Sequence, residues 1–263
     1  MKAASLGPKG VVGVVRELRS SSDSRPLAIA GAKELVPLLA RELRAGGDAS
    51  AVVENGNFER AAVIVYVLAG EPGDEDLAVL RAADRAEVPV VAVARPGVDE
   101  IPYVLATDIV PVPPGGSFPI DEIAEAVARK LGERGSDLAR RLPVLRRAVC
   151  DELIRRYSRK NGLIGAAVFV PGVDMPVLTL NQVRMVLRIA RAYGYDLDRE
   201  RALEILPVIA GGLGMRALAR ELLDLVPFAG WLLKGAVAYA GTRAVGEAAV
   251  RYFEAGGPTA LRR

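Results

Sequence analysis

The chain has 263 residues, 51% of them hydrophobic and 25% charged, and a formal net charge of +3. This length permits one large domain or two modest ones with their own cores, and the mixed charges exclude intrinsic disorder. With no histidine and one cysteine, the chain excludes Ser-His-Asp and Cys-His catalysis, imidazole metal ligands and an internal disulfide. We expect Cys150 to be a buried thiol in a reducing, cytoplasmic compartment.

The N-terminal half predicts an α/β fold. A first helix is predicted from Pro8 to Arg19, followed by a linker. The predicted strands are 26–32, 50–54, 61–70, 88–97 and 108–113, and the predicted helices are 34–44, 73–87 and 120–131. Short apolar runs alternating with helices are typical of a small, doubly wound, mostly parallel sheet, and the prolines of the last strand place it at an edge.

From Ser136 onward the apolar period is helical. One stripe, predicted on a single helix, consists of Leu138, Leu142, Leu145, Val149, Leu153 and Tyr157. Further helices are predicted at 177–193, 198–225 (with a glycine break at 211–214) and 228–254. The predicted domains are an N-terminal helix and linker (1–25), an α/β domain (26–135) and an all-α helical domain (136–263).

The stretch from Gly31 to Leu38 stands where a nucleotide-binding protein has its phosphate loop. A Walker A loop requires G-x-x-x-x-G-K-[ST], whereas "GAKELVPL" has no second glycine and no hydroxyl, and its Lys33 comes too early. Glu34 opposes an anion at the helix N-terminus. Another strand ends in "ARPG", from Ala94, where a GTPase has its guanine-reading N-K-x-D. We therefore expect a P-loop-GTPase-like order of elements without the motifs, and no cofactor or metal.

Two other glycine-containing stretches have weaker patterns. "GLGMRA", from Gly212, fits G-x-G-x-x-A but lacks the acidic strand that dinucleotide binding requires, so a break between helices is expected. The loop at Gly115 precedes a helix that Ser117 is predicted to cap. Anion binding at Gly31 or Gly115 is left open.

Basic residues surround the helical stripe, namely Arg140, Arg141, Arg146, Arg147, Arg155, Arg156, Arg159 and Lys160. We single out Arg146, Arg147, Arg155 and Arg156 as candidates for contact with anionic lipid, with a plain solvated face as the alternative. Nucleic acid is not an expected partner, because only Tyr157 is available for stacking. No uncharged run reaches the ~18–20 residues of a membrane span, but the apolar Gly162–Val173 stretch is typical of surface-inserting loops.

The last predicted helix has small residues at four-residue spacing, at Ala236, Ala240, Ala244 and Ala248. Such a seam permits close approach of another helix. A second copy of the chain, a partner helix and an internally packed hairpin all remain open.

The segments "PGVDMPVLTLNQVRMVLRIARAYGYDL" and "GGLGMRALARELLDLVPFAGWLLKGAVAYAGTRAVGEAAVRYF" carry a family pattern. Its elements are a proline-bounded apolar entry, a glutamine, I-A-x-x-Y-G, a glycine-rich break, L-x-P-x-A/G-G and T-x-A-x-G. The positions that match are Gln182, Ile189, Ala190, Tyr193, Gly194, Pro227, Gly230, Thr242, Ala244 and Gly246. Over residues 171–253 the chain resembles the YcjF-like family, domain-of-unknown-function family 697.

This resemblance implies association with Era-like GTPases, and inner-membrane location in some members, but no enzymatic activity. The N-terminal half resembles a degenerate Era-like GTPase in element order only. We therefore predict a non-catalytic scaffold or adaptor that engages a separate GTPase or a second copy of itself. The family positions Gln182, Tyr193, Gly194, Pro227, Gly230, Thr242 and Gly246 are its partner candidates. The alternative is a peripheral protein that binds anionic lipid, through the helical domain, at the inner face of the cell membrane.

Overall fold

The computed structural model describes residues 8–56, 58–98, 100–113, 115–167, 175–196 and 230–257. The chain divides into two compact units, one of Asp23–Glu152 and one of Met1–Ser22 with Leu153–Arg263. We call them the α/β unit and the helical unit. The predicted domain ranges were drawn from sequence pattern rather than from contacts, and they stay a prediction.

A five-stranded, wholly parallel sheet forms the centre of the α/β unit. Its strands are β1 (Leu27–Gly31), β2 (Val52–Glu54), β3 (Val63–Val67), β4 (Val90–Ala94) and β5 (Ile109–Pro111). Their order is β2-β1-β3-β4-β5, which is the flavodoxin-like doubly wound order. The predicted parallel sheet is confirmed, with the proline-containing β5 at an edge.

Helices cover both faces of this sheet. The first three helices of this unit are α2 (Val36–Leu43), α3 (Asp74–Arg85) and α4 (Ile120–Leu131). On one face, Ile64 and Tyr66 of β3 pack in one apolar cluster with Leu80 of α3. Helix α2 packs on β1 and β2, and α4 on β3, β4 and β5. Because the connections run outward in opposite directions from β1 and β3, their crossover helices lie on opposite faces.

The predicted single helix carrying the leucine stripe is wrong, although the burial of its stripe is confirmed. Helix α5 (Gly135–Arg141) ends before Pro143, and α6 (Arg146–Ala167) begins after a 3₁₀ turn. Leu142 is extended, at φ −120° and ψ 92°, because a residue before proline is disfavoured in the helical region. All six stripe residues are buried, as is Cys150.

The helical unit contains α1 (Pro8–Ser20), the C-terminal part of α6, α7 (Met175–Ala192) and α8 (Gly230–Glu254). Helix α7 packs against both α1 and α8. The prediction of a surface loop at Gly162–Val173 is wrong for the residues up to Ala167, because they continue α6. The rest of that stretch lies outside the described residues. So do the predicted 198–225 helix and its glycine break.

No helix within the described ranges is both long and apolar enough to cross a membrane.

Candidate functional site

In a doubly wound sheet, ligands bind at the carboxyl ends of the two strands where the order reverses. Here these are β1 and β3. Gly31, the last residue of β1, has φ +107°, and a Cβ there would overlap the carbonyl oxygen of Val67. The next amide, of Ala32, donates to that same oxygen at 2.9 Å. The chain therefore stays paired to β3 beyond the end of β1, in the position of a phosphate loop.

Two further amides of this turn also bond within the fold. Leu35 and Val36 both donate to the carbonyl of Ala32 at 3.0 Å, and Pro37 has no N–H. Helix α2 begins at Val36 rather than at the predicted Glu34 and has no side-chain cap. A phosphate site needs amides aimed at the ligand, whereas these amides bond to backbone carbonyls.

The β3 side of the reversal point carries acids. The Tyr66 hydroxyl donates to Asp76 Oδ1 at 2.7 Å, and Asp76 Oδ2 accepts from the Gly73 amide at 2.8 Å. Burial, and secondly the bond to Asp76, raises the pKa of Tyr66 well above its usual value. Asp74 and Glu75 follow in the first turn of α3. These acids disfavour a phosphate. No group of three or more acids or cysteines with metal-binding geometry occurs in the described part of the chain.

The second glycine loop is open to solvent. Gly115 is exposed, with no atom within 4 Å of the position of a Cβ. Helix α4 has Pro119 at its N-cap and no side-chain cap, so the prediction that Ser117 caps it is wrong.

A buried polar network joins three helices of the helical unit. Asn161 Nδ2 on α6 donates to the Leu178 carbonyl at 3.1 Å and to Thr242 Oγ1 at 2.9 Å. Asn181 Nδ2 donates to Asn161 Oδ1 at 2.8 Å, and Gln182 Nε2 donates to Thr242 Oγ1 at 3.2 Å. Asn161, Asn181 and Thr242 are at most 1% exposed. Two predicted partner candidates, Gln182 and Thr242, thus bond within the fold. Sequence reasoning missed both asparagines.

Glycines bring α6 and α8 into backbone contact beside this network. A Cβ at Gly165 would lie 2.9 Å from Ala238 Cβ, and one at Gly235 would lie 2.9 Å from the Gly162 carbonyl. A Cβ at Gly246 would lie 2.5 Å from a side-chain carbon of Ile154. Gly235, Ala238 and Gly246 of α8 thus serve internal packing. Of the predicted seam, Ala236 and Ala240 are exposed and Ala244 and Ala248 are half-buried, so the alternatives for that seam stay open.

Two further family positions lie at the end of α7. The Tyr193 ring stacks on Phe253 with centroids 5.9 Å apart, and its hydroxyl donates to Glu254 at 3.0 Å. Gly194 follows the helix, and the Tyr195 amide returns to the Ala190 carbonyl at 3.0 Å, as in a Schellman helix end. Of the other candidates, Gly230 begins α8, and Pro227 lies outside the described residues.

The four basic candidates lie on α6 but divide between the two units. Arg146 and Arg147 belong to the α/β unit, where Arg147 Nε pairs with Asp151 at 2.9 Å. Arg155 and Arg156 belong to the helical unit, Arg155 half-buried and Arg156 exposed. Arg141, from the same basic run, pairs with Asp48 at 3.1 Å and is not a solvated charge.

The exposed side of α6 in the helical unit has basic and apolar side chains together. Arg156, Arg159, Lys160 and Leu163 are spaced i, i+3, i+4 and i+7, and all four are exposed. Leu163 is 72% exposed. We call these four residues the α6 outer face.

Fold and sites together define a two-part protein, an α/β parallel-sheet domain followed by a mainly helical domain. In the helical domain, four of the motif residues make internal contacts, namely Gln182, Tyr193, Thr242 and Gly246. The chain belongs to the family described as Domain of unknown function (DUF697), whose model matches residues 129–260. The N-terminal region is not assigned to any family. None of the curated proteins and none of the solved structures compared with the chain matches it.

Proposed function

We propose that the protein is a non-catalytic scaffold or adaptor. The observation that carries this proposal is the turn after β1, where the amides of Ala32, Leu35 and Val36 bond to backbone carbonyls. The acids at the start of α3 support it, because they oppose a phosphate on the other side of the same crevice. In this proposal the α/β unit has a structural role and binds no nucleotide, and the helical unit engages a separate GTPase or a second copy of the chain.

Calorimetric titration of the full chain with GTP and ATP, with and without Mg²⁺, tests the non-catalytic part of the proposal. We expect no saturable heat with either nucleotide. Tight, Mg²⁺-dependent binding of either one would refute it, because a magnesium nucleotide then occupies a site in the chain.

A second candidate function is peripheral attachment to an anionic membrane at the cytoplasmic face. The α6 outer face favours it, since exposed cations beside an exposed leucine suit a headgroup region. Flotation of the full chain with vesicles of phosphatidylglycerol and phosphatidylcholine at low salt tests it. Absence of flotation would remove this candidate and leave the scaffold proposal standing.

A further inference from the structure

We propose that the α6 outer face is the surface that binds an anionic lipid bilayer, with Arg159 and Lys160 at the headgroups and Leu163 entering the boundary of the acyl chains. This inference rests on the second candidate function and specifies its contact site. It replaces the earlier candidates Arg146, Arg147 and Arg155, and keeps Arg156 as a flanking charge.

The charge of this part of α6 is one-sided. Between Leu153 and Ala167 there are four basic residues and no acid. Arg156, Arg159 and Lys160 are exposed, whereas the opposite side of the helix carries the buried residues Ile154 and Asn161. Each cation held near an anionic surface strengthens binding several-fold.

Leu163 extends the same row by one turn and exposes 72% of its surface. Val177, early in α7, is a second exposed aliphatic residue of the helical unit, at 46%. Transfer of an exposed leucine from water into the apolar part of a bilayer is favourable in free energy, whereas its exposure to bulk water is not.

Composition favours lipid over a protein partner or a nucleic acid. Protein interfaces are depleted in lysine and enriched in aromatic residues, methionine and arginine. The α6 outer face has arginines but no aromatic residue or methionine, and it includes a lysine. A nucleic acid would use the cations but leave Leu163 without a contact. A basic row ending in an aliphatic residue is typical of a helix that lies in a membrane interface.

The experiment is a flotation series on the full chain with vesicles of phosphatidylglycerol and phosphatidylcholine, and with pure phosphatidylcholine. We expect Arg159→Gln with Lys160→Gln to weaken partition into the anionic vesicles on the order of tenfold or more. Leu163→Ser is expected to weaken it about tenfold. The charge-matched control is Arg81→Gln with Arg85→Gln, two exposed arginines on α3, and it should change partition less than twofold.

The outcomes distinguish failure of the proposed contact site from failure of membrane attachment itself. If the unaltered chain floats and the face variants float equally well, the α6 outer face is wrong while membrane attachment stands. If the unaltered chain does not float, both fail. Equal flotation on pure phosphatidylcholine overturns the role of the cations. Because the altered side chains are exposed, each variant is expected to keep the circular dichroism spectrum of the unaltered chain, which checks that it is folded.

Discussion

Replacing Thr242 by valine tests whether this family-motif residue stabilises the fold of the helical unit. Thr242 is fully buried, and its hydroxyl accepts from Asn161 at 2.9 Å and from Gln182 at 3.2 Å. Valine has nearly the same shape but no acceptor. Asn161 keeps its bond to the Leu178 carbonyl but loses the other, which leaves a buried donor unpaired.

The size of the effect follows from these partners. An unpaired buried donor costs about 1–3 kcal/mol, whereas the half-buried Gln182 amide can turn toward water at a smaller cost. We expect Thr242→Val to lower the free energy of unfolding of the helical unit by about 2 kcal/mol. Thr242→Ser keeps the acceptor and deletes one methyl group, which costs about 1 kcal/mol.

Urea unfolding followed by tryptophan fluorescence measures both variants in the helical unit, because the single tryptophan, Trp231, lies on α8. The prediction is that valine is more damaging than serine. A valine variant as stable as the serine variant would show that the network does not stabilise the fold, and Thr242 would return to the list of partner candidates.

Two further predictions concern the α/β unit. Gly31→Ala should lower its unfolding free energy by at least about 2 kcal/mol, since φ is +107° and a Cβ meets the Val67 carbonyl. The matched control is Gly115→Ala, also at positive φ but in open space, which should cost only about 1 kcal/mol; equal losses in urea melts would contradict the close approach. The raised pKa of Tyr66 means that the folded state holds this proton longer than the unfolded state. The contribution of this raised pKa to the free energy of unfolding is therefore complete below about pH 10 and is lost as the pH rises further. Tyr66→Phe should lose less stability between pH 9 and 11 than the unaltered chain, and parallel losses in denaturant melts would exclude this role.

The sheet could be predicted from sequence because its signals are local. Each central strand is a short, apolar run bounded by turn residues, and such runs alternate with helices. The ends of elements were less accurate: β3 is Val63–Val67, within the predicted 61–70, because flanking apolar residues do not reveal where pairing stops.

The break between α5 and α6 was missed because the leucine spacing continues through it. The 3₁₀ turn Pro143–Leu145 keeps Leu142 and Leu145 on the buried side, so the apolar period alone does not register the break. The signal that was overlooked is Pro143, since a proline inside a helical pattern ends or kinks the helix.

The polar network was missed because neither asparagine was among the residues singled out from the sequence. Asn161 follows Tyr157 by four residues, on the same buried stripe, and Asn181 precedes the buried Met185 by four. A polar residue on an apolar stripe is buried with it and needs a partner. That spacing was the available signal for burial. The hydrogen-bond partners depend on how three helices pack together, and the spacing of residues within one helix cannot predict this packing.

The central claim is that the turn after β1 is closed by its own backbone bonds. Amide hydrogen exchange of Ala32, Leu35 and Val36, with and without Mg²⁺–GTP, tests it most directly. We predict that these amides are protected in the protein alone and that the nucleotide leaves their exchange unchanged. Fast exchange without nucleotide, followed by protection when Mg²⁺–GTP is added, would contradict it, because the turn would then be a working phosphate loop.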